Sequence, residues 1–171
     1  MTQAAFKVLW LMNEGVINCF REGSEVWVAR GVLKLMGSGK IQTKRVAYML
    51  APPIFQQASV NEEISQMVLL SANAFRKDFQ TIASPHQVLN ASCALNCLSS
   101  LCNPELAELL YSEILPLYAC TRPLLKKKAC ILSYKMILNH LDSAEKICPY
   151  LADRLRDPVL SVQIAAVTTI F

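Results

Sequence analysis

Apolar and polar residues recur along this chain with a helical period. Between Pro123 and Asn139, the residues Leu124, Leu125, Cys130, Ile131, Tyr134, Ile137 and Leu138 form an apolar stripe, with Lys126, Lys127, Lys128 and Lys135 falling partly off it. In the next segment, from Ser143, the residues Ile147, Leu151 and Leu155 stand against Lys146, Asp153, Arg154 and Arg156. Helix starts punctuate this pattern. Ser84-Pro85, Asn103-Pro104 and Asp157-Pro158 each set a capping residue before a proline at the first helical position. Proline has no N–H to lose there, and its fixed φ suits a helix. Thr121-Arg122-Pro123 is a looser version, and Asn61-Glu62-Glu63 is a cap followed by acids where the helix dipole favours them. Together these signals predict helices over 3–20, 25–36, 43–56, 61–79, 85–101, 104–119, 123–139, 143–155 and 158–171.

The starts repeat. The proline at 85 recurs at 123 and at 158, steps of 38 and 35 residues that each hold two helices, and Thr43 to Ser84 holds another pair. A two-helix unit of this length implies HEAT or armadillo stacking, in which no pair can bury its apolar faces alone. The expected fold is all-α: an α-α superhelix, a solenoid of about four helix-pair repeats across residues 1–171 with boundaries near 42, 84, 121 and 157. Val159 to Phe171 is apolar and uncharged, as expected for a segment cut from a longer array or docked against another surface.

Composition narrows the class. Apolar residues are 53% of the 171 and charged residues 18%, so the chain buries a large core and is not disordered. Five glycines are few for the turns of an all-β fold. The net charge of +4 is spread along the chain without a dense basic stripe and interleaved aromatics, so nucleic acid is not an expected partner. The seven cysteines, Cys19, Cys93, Cys97, Cys102, Cys120, Cys130 and Cys148, are odd in number and include no CxxC, which favours reduced core residues of a cytosolic protein. Thr2 to Gly23 includes Lys7, Glu14, Arg21 and Glu22 and no cleavage-site pattern, unlike a secretory signal. Pro85 to Pro104 has no charged residue, yet Asn90, Ser92 and Asn96 make a helix buried between neighbours a better reading than a membrane span.

The candidate chemistry is sparse. Gly37-Ser38-Gly39-Lys40 is an incomplete phosphate loop: Lys34 stands where the first glycine belongs and Ile41 where Ser or Thr follows the lysine. An inter-helix turn, with glycines supplying positive φ, is the expectation. His86 and His140 have no carboxylate or cysteine at motif spacing, and Cys93 with Cys97 alone is a poor zinc set. No catalytic, cofactor or metal residues are therefore assigned, and the chain is not expected to be an enzyme. The candidate binding residues are a basic patch of Arg122, Lys126, Lys127 and Lys128, and a weaker one of Lys40, Lys44 and Arg45. Either suits lipid phosphates or an acidic partner, or else a solvated helix face whose stems cover apolar surface.

Several stretches resemble a known family. Asn73-Ala74-Phe75-Arg76-Lys77-Asp78-Phe79 resembles an N-x-I-x-K-D-L stretch of the adaptins, the large chains of vesicle-coat adaptor complexes. The run from Lys44 to Met49, the Lys126-Lys127-Lys128-Ala129 segment, and the run from Trp27 to Met36 fit the same family. Leu155-Arg156-Asp157-Pro158 followed by Val162-Gln163-Ile164-Ala165-Ala166-Val167 is most like the delta branch, with the gamma, epsilon and alpha branches as near alternatives. The resemblance covers 24–171, and residues 1–23 match poorly. Ala51-Pro52-Pro53 departs from it where the family continues a helix, and two prolines are expected to break or kink this one.

The resemblance implies a scaffold in vesicle-mediated protein transport between Golgi or endosomes and lysosome-related organelles. Its implied partners are a small sigma chain, a second large chain and a medium chain, together with an Arf-family GTPase and phosphoinositide membranes. The implied location is cytoplasmic, peripheral on Golgi and endosomal vesicle membranes. Two other classes stay open: a HEAT or armadillo interaction module outside the adaptor complexes, and a small helical enzyme built around His86 or a cysteine with a shifted pKa.

Overall fold

The structure, a computed structural model, describes residues 24–56 and 61–170. The helices in order are α1 (Ser24–Met36), α2 (Ile41–Phe55), α3 (Glu62–Gln80), α4 (Pro85–Leu101), α5 (Pro104–Ala119), α6 (Pro123–Asn139), α7 (Ser143–Arg154) and α8 (Leu160–Ile170). Among the described residues there is no strand. The chain divides into two compact units after Ala74, inside α3. The helix expected over 3–20 lies outside the described residues.

Local chemistry explains the boundaries. Ser84 and Gln87 form a full capping box, with Ser84 Oγ accepting from the Gln87 N–H and the Gln87 side chain accepting from the Ser84 N–H. Asn103 Oδ1 accepts from the Leu106 N–H at 2.8 Å, and Asn61 Oδ1 accepts from the Glu63 N–H at 3.0 Å. Arg122 caps α6 with no side-chain bond, so there the proline alone marks the start.

In the first unit α1 packs on α2, burying Ala29, Val32 and Met36 with Ala47, Leu50, Ile54 and Phe55. In the second unit α6 is central. It packs against α4, α5, α7 and α8, while α5 packs on α7 and α7 on α8. Two layers result, α4–α6–α8 and α5–α7, with Leu95, Leu98, Leu106, Leu110, Ile114, Leu117 and Leu125 fully buried. Tyr118 crosses the interior of this unit. Its hydroxyl meets Ser133 and the Ala129 carbonyl, and its ring stacks on Tyr150 at 5.6 Å. Burial pushes this phenol above its ordinary value, the Ser133 hydrogen bond opposing in part.

Hydrogen bonds join helices two apart in the chain. Lys128 Nζ donates from α6 to the Ser92 carbonyl of α4, and Thr169 Oγ1 donates from α8 to the Cys130 carbonyl of α6. Ser92 and Cys130 occupy the same register after Pro85 and Pro123. On the other layer Arg76 Nη2 donates to the Leu109 carbonyl at 3.0 Å, and Arg76 also pairs with Glu113 at 3.5 Å.

Four expectations are corrected. Pro52 and Pro53 do not break α2, which continues to Phe55. They fall near its end, few N–H donors follow them, and the Gln56 N–H still reaches the Pro52 carbonyl. The helix expected from 158 begins at Leu160; Asp157 Oδ1 still accepts the Val159 N–H at 3.0 Å, while its other oxygen is held by Lys126 and Arg154. The turn at Gly37 to Lys40 forms without positive φ at either glycine; Ser38 Oγ accepts the Lys40 N–H instead. In α6 the buried face is Leu125, Ala129, Cys130, Leu132, Ser133 and Met136, while Leu124, Ile131, Tyr134 and Leu138 are exposed. Of the expected stripe Leu125 and Cys130 are buried, while Leu124, Ile131, Tyr134 and Leu138 face outward. The buried side mixes large residues, Leu125, Leu132 and Met136, with small ones, Ala129, Cys130 and Ser133, which allow neighbouring helices to come close.

Two substitutions test this packing. Leu95→Ala, at a site with no exposure, is expected to lower unfolding free energy by about 3 kcal/mol. Ser84→Ala is expected to cost about 1 kcal/mol through the lost cap. Urea titration followed by circular dichroism measures both.

Candidate functional site

The basic patch at the start of α6 is divided by the fold. Arg122 and Lys127 are exposed. Lys126 Nζ instead donates to Asp157 Oδ2 at 2.9 Å, and Lys128 Nζ donates to Asn96 Oδ1 at 2.6 Å as well as to the Ser92 carbonyl. Partial burial lowers the Lys128 ammonium below its ordinary value, with Cys93 raising it and Lys127 lowering it further.

Asp157 is the hub of this region. Its side chain is fully buried, and it accepts from Lys126, from Arg154 Nη1 at 3.1 Å and from the Val159 N–H at 3.0 Å. Burial alone would raise its carboxyl. The hydrogen bonds from Lys126 and Val159 and the charges of Lys126 and Arg154 outweigh that, so it lies below the usual carboxylate range. The Asp157 carbonyl also accepts from Gln163 Nε2 at 2.7 Å. One residue thus ties α6, the end of α7 and the start of α8. Sequence reasoning took it only as a cap. The missed signal was an acid standing 31 residues after Lys126, close to one repeat.

The weaker patch lies in the first unit. Lys40 and Arg45 are exposed, and Lys44 is buried. In the second unit an open cleft of about 450 Å³ is lined by Gln80, Thr81, Ile82, Ala83, Cys120, Thr121 and Arg122. Arg122 is its one charged lining group, so the cleft presents a cation and hydroxyls and not an acid–base pair. His86 is exposed in the first turn of α4, and the His140 ring stacks on Tyr111 at 5.5 Å. Among the described residues no three His, Cys, Asp or Glu side chains are grouped to hold a metal ion.

Cys97 and Cys130 are buried, and burial pushes the thiols of Cys102 and Cys130 up to about 11. That of Cys97 is raised further, by burial first and Cys93 second. Such thiols stay protonated at neutral pH and pack as small apolar groups. Cys148, expected among the core cysteines, is exposed. Among the described residues no helix is long and apolar enough to cross a membrane.

The Adaptin N terminal region family model matches residues 3–171. The chain belongs to the adaptin family. The match reaches into residues 1–23, upstream of the span that the sequence motifs cover. Among curated adaptins the chain is 33% identical to the AP-3 complex subunit delta-1 of Bos taurus over 84% of its own length. It is 29% identical to the AP-3 complex subunit delta of Dictyostelium discoideum and 28% identical to that of Saccharomyces cerevisiae, again over 84%. It spans only 11%, 12% and 15% of those three relatives. Its structure is similar to one chain of a homology model of the full-length AP-3 complex in an intermediate open conformation, with a TM-score of 0.79 at 27% identity, covering 99% of this chain and 27% of that one. The helical solenoid and the delta-type adaptin resemblance both follow from these matches.

Within this adaptin segment the Asp157 hub has a measurable signature. Its carboxyl is depressed in the folded state, so its stabilisation is complete above the ordinary value of about 4. That stabilisation is lost as pH falls through the lower folded-state value. Asp157→Asn keeps an acceptor for the Val159 N–H but strands Lys126 and Arg154, and is expected to cost about 2 kcal/mol at pH 7. Urea unfolding from pH 7 to pH 3 should show the gap between the two proteins closing only below about pH 4.

Proposed function

We propose that this chain is a scaffold segment of a vesicle-coat adaptor large chain that acts by protein–protein binding in vesicle-mediated protein transport. The observation that carries this is the adaptin match over residues 3–171, supported by delta-type relatives named for the AP-3 complex. About four helix-pair repeats, with boundaries near 42, 84, 121 and 157, would supply an extended surface on which affinity accumulates from many modest contacts. The partners in this reading are a small sigma chain, a second large chain and a medium chain. Cargo would move between Golgi or endosomes and lysosome-related organelles, with the complex peripheral on the cytoplasmic side of vesicle membranes.

Recruitment in this reading uses an Arf-family GTPase and anionic phosphoinositides. In this reading the exposed Lys40 and Arg45 add a weak lipid contact to the GTPase contact, since two cations are too few to hold a membrane by charge alone.

Co-expression with a delta-type complex's sigma chain tests the scaffold reading. The expected result is stoichiometric co-purification. A folded chain that does not retain the sigma chain would point instead to an interaction module outside the adaptor complexes. The lipid contact is checked by vesicle sedimentation: replacing Lys40 and Arg45 by Gln should weaken binding to phosphoinositide vesicles about thirtyfold, with each cation near the surface contributing about 1 kcal/mol.

A further inference from the structure

The helices of the second unit differ in charge, and α7 carries both signs. α4, α6 and α8 contain no aspartate or glutamate, and the only charges among them are Lys126, Lys127, Lys128 and Lys135 of α6. In the other layer α5 carries Glu105, Glu108 and Glu113 and no cation. On the acid-free layer α6 also turns an apolar crest outward. Leu124 is 42% exposed, Ile131 45%, Tyr134 49% and Leu138 57%. Their spacing keeps them on one side of the helix over about 21 Å. The crest is not a stacking surface, since the opposite faces of α6 already meet α4, α5, α7 and α8. Lys127 and Lys135 stand exposed along it.

We propose that this crest of α6 is a docking site for an acidic amphipathic helix of a partner protein. Apolar anchors at helical spacing are what a helix laid across another helix engages. The flanking lysines select glutamate or aspartate on the incoming helix. A membrane surface fits less well. Recognition of anionic lipid by charge uses clusters of about 4–8 free cations. Here Lys126 is held by Asp157 and Lys128 by Asn96 and the Ser92 carbonyl, which leaves Arg122, Lys127 and Lys135. The inference rests on the surroundings of α6 alone and stands whether or not the adaptor reading does.

The probe is a synthetic amphipathic helical peptide with leucines at helical spacing flanked by glutamates, titrated against the full chain by fluorescence anisotropy. A peptide with lysines in place of the glutamates is the comparison. The expected result is saturable binding of the glutamate peptide alone. Ile131→Glu with Leu138→Glu should weaken it at least about tenfold. Lys127→Glu with Lys135→Glu should reverse the preference, so that the lysine peptide binds and the glutamate peptide does not. All four positions are exposed, and circular dichroism verifies that each variant is folded. Four outcomes overturn the proposal. They are no saturable binding, equal binding of both peptides, binding that the variants leave unchanged, and loss of sedimentation with phosphatidylserine vesicles in these variants with no peptide binding at all.

Discussion

Helix α6 can bury its apolar side chains only because α4, α5 and α8 each stand against a different part of it. A lone helix pair offers each member one neighbour, which covers at most one stripe. Here Leu125, Leu132 and Met136 lie in the interior together with Ala129, Cys130 and Ser133. The small residues among them allow the close approach of three helices, and Ser133 is accepted there because its hydroxyl meets Tyr118 and the Ala129 carbonyl. Stacking is therefore the condition for a core, and the rest of the second unit is arranged to secure it. Hydrogen bonds from side chains to carbonyls of a helix one repeat away, Lys128 to Ser92 and Thr169 to Cys130, set how far each pair can slide along the last.

The polar interior at Asp157 belongs to the same requirement. Where α7 ends and α8 begins the chain must turn, and a turn exposes donors that a helix would satisfy. Asp157 answers the Val159 N–H with one oxygen and two cations with the other. Burying a carboxylate costs more than a single exposed partner returns, so the site holds only because Lys126 and Arg154 converge on it. A consequence reaches the surface: a lysine that neutralises a buried acid is not available to a partner. Counting lysines in the sequence overstates the charge that α6 offers.

Much of the fold was legible because helix starts are local. Ser84, Asn103 and Asn61 each bond the first turn that follows them, so a few residues of sequence carry the whole signal. The phase of α6 was not legible. Whether Leu124 or Leu132 faces inward depends on which helices surround α6, and both are leucines on a helix with apolar residues nearly all round. Asp157 was misread for a related reason. An Asp-Pro pair has the local form of a cap, and Asp157 does bond the Val159 N–H, but the ion pairs that its other oxygen makes with Lys126 and Arg154 depend on tertiary approach that local sequence does not show. The candidate site was thus legible in composition but not in which of its cations remain accessible.

The exposed crest of α6 raises a question of specificity. Aligned leucine, isoleucine and tyrosine side chains in water would favour burial against any apolar surface, including a second copy of the same chain. Lys127 and Lys135 argue against the copy. In a symmetric contact each crest meets itself, so lysines approach lysines in a contact that excludes water, and like charges brought together cost free energy where apolar burial gains it. An acidic partner reverses the sign of that electrostatic contribution while keeping the apolar one. Helices α4 and α8 contain no acid, and the nearby Asp157 is taken up by Lys126 and Arg154, which leaves Lys127 and Lys135 to an incoming partner. The same side chains therefore oppose self-association and favour a partner of opposite charge.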